Sequence, residues 1–171
     1  MVRVARFEKV SLRRFVTDWV ATFPQQTVEQ AVAAYERIRL PERATSGSAG
    51  YDLFAPVGFE LGAGEGIKIP TGLRVLIEEG WVLTIYPRSG LGFKYRFQLD
   101  NSVGVIDSDY ARSDNEGHIF MRMTNDNREG KSLLVPAGTA FAQGIFLPFG
   151  ITVDDHAQGV RNGGLGSTTG H

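Results

Sequence analysis

A chain of 171 residues with 42% hydrophobic and 22% charged residues is long enough for one buried core and has the make-up of a soluble globular protein. Its net charge of −1 argues against a general electrostatic grip on DNA, RNA or an anionic membrane. It contains no cysteine, which excludes disulfides, thiol nucleophiles and cysteine metal sites and suits a reducing cytoplasm. The start MVRVARFEKV lacks the apolar stretch of a signal peptide, and no run approaches the ~18 apolar residues of a membrane helix. A soluble cytoplasmic protein, without nucleic-acid or membrane partners, is expected.

In chain order, residues 3–10 read as a short strand anchored by Val4, Phe7 and Val10. The period then changes. Leu12, Phe15, Val16, Trp19, Val20 and Phe23 recur every three or four residues, which is one face of a helix with Ser11 as N-cap and Pro24 as its stop. Thr27 and Gln30 make a capping box for a second helix with Val28, Ala31, Val32, Tyr35 and Ile38 as its stripe. From Leu40 on the helical period disappears. Strands are expected over 51–55, 67–69, 72–77, 81–86, 96–99, 103–106, 118–123, 132–135 and 142–148, separated by turns rich in the 21 glycines and 7 prolines. Many short strands at near-regular spacing read as an all-β sandwich or barrel. The whole chain reads as a single domain, with residues 11–38 as a helical insertion and a glycine-rich tail, 161–171, as a mobile C-terminal lid.

No P-loop pattern occurs, and His118, His156 and His171 do not share metal-ligand spacing. Five other segments concentrate glycine and polar groups between apolar strands: Ala49 to Leu53, Pro87 to Gly92, Asn101 to Tyr110, Ala142-Gln143, and Arg161 to Gly170. Each alone reads equally as a turn, a solvated arginine or a loose end. In this order and spacing they resemble the five motifs of the trimeric dUTP pyrophosphatase family, bacterial or phage type. The resemblance runs from about Leu40 to His171, and Asn101-Ser102-Val103-Gly104-Val105-Ile106-Asp107-Ser108-Asp109-Tyr110 is its most specific part.

The resemblance implies a distorted β jelly-roll, to which the two N-terminal helices are additional, and a homotrimer with shared active sites. It implies hydrolysis of dUTP to dUMP and pyrophosphate by water attack at the α-phosphate, with Mg2+ held by substrate phosphates and water and no direct protein ligand. Within that frame Asp107 is the residue expected to orient and deprotonate the water. Asn101 and the backbone of Val105 and Ile106, on a β-hairpin, are expected to read uracil; cytosine reverses its donor and acceptor and leaves buried groups unpaired. Tyr110 is expected to pack on the deoxyribose and exclude a 2′-hydroxyl. Arg88, Ser89, Gly90 and Gln143 suit phosphate, with Asp52 supporting Arg88 or the water shell of the magnesium. Arg161, Gly164, Leu165, Gly166 and Ser167 belong to the lid, which is expected to reach a neighbouring subunit.

Three departures from the family pattern stand out. Ala140 occupies the usual place of an arginine, Ala111 to Gly117 replace a short turn, and Leu165 replaces the aromatic residue over the uracil. Two alternatives remain open: a dCTP deaminase-like enzyme of the same fold, for which Glu116 in the longer loop is the nearest acid/base candidate, and a nucleotide-sensing regulatory protein.

Overall fold

A computed structural model describes residues 2–159 and 161. Val160 and the remainder of the expected lid, with Gly164, Leu165, Gly166 and Ser167, lie outside the described residues.

Over the first forty residues periodicity and capping agree with the fold. Strand β1 (Ala5–Lys9) leads into α1 (Leu12–Thr22), where Ser11 Oγ accepts the Arg14 N–H at 3.1 Å. The helix closes as Phe23 N–H donates to Trp19 O, just ahead of Pro24. Helix α2 (Val28–Glu36) opens on a complete capping box. Gln30 N–H donates to Thr27 Oγ1, and Thr27 N–H donates to Gln30 Oε1. Phe15, Trp19, Ala31 and Ala34 are buried. Leu12 and Val28, expected on the apolar stripes, are exposed, because helix side chains lean toward the N-terminus and those of a first turn overhang the end.

The rest is strand: β2 (Tyr51–Phe54), β3 (Phe59–Leu61), β4 (Gly66–Pro70), β5 (Leu73–Ile77), β6 (Trp81–Pro87), β7 (Phe97–Leu99), β8 (Gly104–Ile106), β9 (Phe120–Asn125), β10 (Leu133–Val135) and β11 (Ala140–Pro148). They form antiparallel sheets in the orders β2-β11-β6-β8, β4-β9-β7, β1-β5 and β10-β3. The architecture is the expected mostly-β jelly-roll. One cluster of buried side chains joins Phe15, Trp19 and Ile38 of the helical region to Leu53, Ile69, Leu73, Leu83, Phe97, Met121 and Phe141 of the sheets. The helices therefore contribute to the central core.

Three local expectations change. Strand β3 was not foreseen. The segment expected as a turn at Ser89 is helix α3 (Ser89–Tyr95), in spite of two glycines. Leu91 and Tyr95, four residues apart, pack together against the core, and tertiary packing outweighs propensity in so short a helix. The expected hairpin around Asn101 is not ladder-paired. Ser102 N–H donates to Leu99 O and Val103 N–H to Asn101 O, with Ser102 at φ +66°, so the chain turns sharply. Strand β7 stays with β9 while β8 joins β6 in another sheet.

Gly72 ties the helices to the sheets. Its φ is +71°, and a Cβ there would stand 2.2 Å from Ile38 Cδ1 and 3.0 Å from the Phe15 ring. Only glycine combines that backbone conformation with that approach.

Candidate active site

The break between β7 and β8 opens a cavity of about 380 Å3 where two sheets part. Its apolar floor comes from Ile85 on β6, Leu99 on β7 and Met121 on β9. Around it stand Asn101, Gly104, Val105, Ile106, Asp107 and Tyr110, brought together from the most specific of the sequence motifs. Gly104 packs closely on the floor: a Cβ there would lie 3.1 Å from Ile85 Cβ. The volume falls in the ordinary range for a small-molecule site, and an apolar floor with a few convergent polar groups is its ordinary composition.

Asp107 sits on the wall of this cavity with its side chain about half exposed. Arg161 pairs with it through Nη2, while Arg161 Nε donates to Asp109 Oδ1 at 2.9 Å. The Arg161 guanidinium also lies 5.9 Å from the centre of the Tyr110 ring. The cation expected to counter a triphosphate is thus placed on the carboxylates of its own chain.

A second group of expected residues lies apart from this cavity. Arg88 Nε pairs with Asp52 Oδ1 at 3.2 Å, as the acidic residue of the first motif was expected to do. Arg88 Nη1 also donates to the carbonyl of Ala140 at 3.4 Å. Gln143, opposite Asp52 and Tyr86 in the ladders, donates from Nε2 to Pro87 O at 3.2 Å and so holds the chain just before Arg88. Arg88 is the N-cap of α3 and makes no side-chain cap bond; Ser89 and Gly90 form the first turn, where backbone N–H groups have no partner within the helix. None of Asp52, Arg88, Ser89, Gly90 or Gln143 lines the cavity that holds Asp107.

Behind the cavity wall the longer loop is engaged with the fold. The Tyr110 ring is almost fully buried; its hydroxyl donates to His118 O at 2.8 Å and accepts from Asn115 Nδ2 at 3.0 Å. Burial pushes the phenol's pKa up, against the lowering effect of Asn115 and Arg161. Glu116, the candidate acid/base of a deaminase, is not in the cavity. Its carboxylate accepts Ser11 N–H at 2.7 Å and Ser11 Oγ–H at 2.6 Å, capping α1. Burial alone raises its pKa, but the two Ser11 bonds with Arg74 and Arg14 outweigh that and hold it below the ordinary carboxylate value.

His118 is a buried structural residue, in keeping with its lack of metal-ligand spacing. Nε2 accepts the Gly72 N–H at 2.8 Å, so Nδ1 carries the proton and donates to Asp18 Oδ2 at 2.6 Å. Burial depresses its pKa in spite of the Asp18 carboxylate. Other residues not foreseen border the cavity: Phe120 and, at the rim, Asp100 paired with Arg122 at 2.8 Å. The only signal in the sequence was their place on or beside strands flanking the motif. Among the described residues no three His, Asp or Glu side chains gather as a metal site, and no helix is long and apolar enough to cross a membrane.

Comparison with known proteins gives the family. The dUTPase family model matches residues 36–169. The deoxyuridine 5′-triphosphate nucleotidohydrolase of Lactococcus lactis subsp. lactis is 43% identical over 134 residues, covering 77% of this chain and 88% of that protein. The crystal structure of the dUTPase from Streptococcus mutans is 40% identical and superimposes with a TM-score of 0.59 over 70% of this chain and 91% of that one. The dUTPase of Staphylococcus bacteriophage 80alpha, solved with dUpNHpp, is 20% identical and shares the fold with a TM-score of 0.63 over 99% of this chain and 100% of that one. The chain therefore belongs to the dUTPase family and is a dUTP diphosphatase, a hydrolase of nucleotide metabolism.

Proposed function

We propose that this enzyme cleaves dUTP to dUMP and pyrophosphate by attack of water at the α-phosphate, with Asp107 orienting the water and taking its proton. The observation that carries this reading is the single cavity that sets Asn101, the backbone of Val105 and Ile106, and the Tyr110 ring around one space with Asp107 on its wall. Asn101 and the backbone pair with the uracil edge; Tyr110 packs on the deoxyribose. Arg161 leaves Asp107 for the phosphates when the nucleotide enters, which frees the carboxylate to act as base.

Arg88, with Ser89, Gly90 and Gln143, receives the triphosphate, and Gly164, Leu165, Gly166 and Ser167 close over it. The donor set suits Mg2+ bound through the nucleotide. Asp52 is engaged by Arg88, and the triphosphate brings the oxygens that Mg2+ takes together with water, so the ion is held by phosphate oxygens and water. When bound, Mg2+ neutralises triphosphate charge. The separation of the two groups within one chain supports a site shared between the subunits of a homotrimer, in which the phosphate group of one subunit completes the base-and-water group of another.

The test is pyrophosphate release from dUTP, dCTP, dTTP and UTP in parallel, with ammonia release followed on dCTP. Turnover of dUTP alone is expected; ammonia from dCTP, or binding without turnover, overturns the reading. Sedimentation should show a trimer. Mixing Asp107→Asn chains with chains truncated after Gly159, each inactive alone, should restore activity at interfaces that combine an intact Asp107 with an intact tail. A fully active monomer rules out the shared site.

A further inference from the structure

Helix α1 lies outside the segment that matches the family, yet a continuous line of buried and half-buried bonds connects it to the cavity. Asp18 on α1 is held by Arg14 at 3.0 Å and accepts the His118 Nδ1–H at 2.6 Å. The opposite ring nitrogen of His118 accepts from Gly72 N–H, so the imidazole is fixed at both edges. The backbone carbonyl of the same residue receives the Tyr110 hydroxyl, whose remaining bond comes from Asn115 Nδ2. Asn115 Oδ1 in turn accepts Gly117 N–H at 3.1 Å. His118 is fully buried and the Asp18 side chain nearly so.

We propose that Asp18 and His118 are positioning residues for sugar selection: with Asn115 they hold the Tyr110 hydroxyl, so that α1 sets the wall that excludes a 2′-hydroxyl. The inference rests on the assignment of Tyr110 to the deoxyribose made above. A ring rejects one extra oxygen only if it cannot retreat by a fraction of an ångström. Tyr110 has a single rotatable hydroxyl end, and both of its bonds are taken up by the segment that α1 anchors. Packing of the ring face alone leaves sliding along the ring axis unopposed; the two bonds at Oη oppose it.

The readout is the ratio of kcat/KM on dUTP to kcat/KM on UTP, with the thermal midpoint recorded beside it. Asp18→Ala should lower the ratio by about five- to twentyfold, the scale of one lost buried hydrogen bond. Asp18→Asn retains an acceptor for His118 Nδ1–H and should restore most of the ratio. Tyr110→Phe keeps the ring but not the hydroxyl, and should resemble Asp18→Ala. A merely structural role predicts a lower midpoint with the ratio unchanged, and that result overturns the inference. If Asp18→Ala does not fold, Asn115→Ala carries the same test. It removes the donor to Tyr110 together with the turn bond to Gly117 N–H and should lower the ratio; an unchanged ratio refutes the inference. Tyr110→Ala separates the two claims. A lowered ratio there, with Asp18→Ala and Tyr110→Phe at the wild-type value, removes the positioning residues alone. An unchanged ratio in Tyr110→Ala removes Tyr110 from sugar selection and the inference with it.

Discussion

Two consecutive stretches of chain, 101–110 and 111–118, are both rich in polar residues, and they do opposite things. In the first, Asn101, Val105, Ile106 and Asp107 face a cavity, and the only side-chain partner that Asp107 has among the described residues is Arg161 from the far end of the chain. In the second, three polar side chains are taken up by the fold. Glu116 caps α1, His118 bridges Asp18 and Gly72, and Asn115 binds Tyr110 and Gly117. A polar group satisfied within the fold has little left to offer a ligand, whereas Asp107 stands half exposed on a cavity wall with one side-chain partner. Density of polar residues therefore marks both a site and the scaffold behind it; the partner of each group tells them apart.

The largest expected effect tests the cavity side. Asp107→Asn keeps the size and shape of the side chain and removes its basicity. Turnover of dUTP should fall ~10²–10⁴-fold, the ordinary contribution of a general base, with nucleotide binding and the thermal midpoint nearly unchanged. Near-wild-type kcat would take Asp107 out of the mechanism.

Next comes the scaffold. Trp19 is almost completely buried, lies tilted against Phe15 and edge-on to Phe23 with ring centres 5.0 Å apart in each pair, and donates from Nε1 to Gln26 Oε1 at 2.7 Å. Trp19→Ala should cost about 3–5 kcal/mol of stability in denaturant titration. A loss near zero would show that the helices merely lie on the surface.

A smaller effect is set by pH. The buried His118 has its pKa depressed below the ordinary 6.5, facing Asp18 and Arg14 from α1 and Glu116 from its own loop. Above 6.5 it is neutral both folded and unfolded, and its contribution is fully present. As pH falls below 6.5 the unfolded chain takes up a proton that the folded chain refuses, so stability declines, by at most ~1.4 kcal/mol per pH unit, until the folded pKa is reached. Glu116 acts in the same direction but only below its ordinary 4.5, so the window from pH 6.5 to about 5 isolates the histidine. Midpoints measured across that window should slope in the wild type and flatten in His118→Gln. An equal slope in both would assign the effect elsewhere.

How far the sequence shows these two regions depends on the range of the signal. The helices were legible because Ser11 and Thr27 cap an apolar period within a dozen residues. Most strands were legible as apolar runs between turns. Strand β3 was not, since Phe-Glu-Leu is too short to show alternation, and α3 was hidden by two glycines whose propensity cost is offset by contacts of Leu91 and Tyr95 with the core. The motif around Asp107 was legible through family resemblance. The cavity floor was not: Ile85, Leu99 and Met121 come from three strands in two sheets and look like any core residue. Nor was the Asp18–His118 bond, whose partners stand 100 residues apart. The orientation of Glu116 was illegible for a related reason, as a glutamate in a loop beside a motif looks the same whether it faces the cavity or turns away.

That glutamate supplies the smallest and most discriminating test of the boundary between the two regions. Its carboxylate receives both polar groups of Ser11, and its backbone is held at φ +61°, a conformation that few non-glycine residues adopt. Replacing it with alanine removes the acceptor for Ser11 N–H and for Ser11 Oγ–H, while Ser11 Oγ can still accept from Arg14 N–H. The helix keeps its own cap and loses only the tether to the loop. The expected cost is therefore that of a partial cap, about 0.5–1 kcal/mol, visible as a small drop in midpoint. Turnover of dUTP should stay at the wild-type rate, because nothing on the cavity wall touches this carboxylate. If Glu116→Ala instead abolishes turnover with its midpoint preserved, the loop belongs to the reaction, the line between site and scaffold falls after His118, and acid/base chemistry by Glu116 returns as a live alternative to that of Asp107.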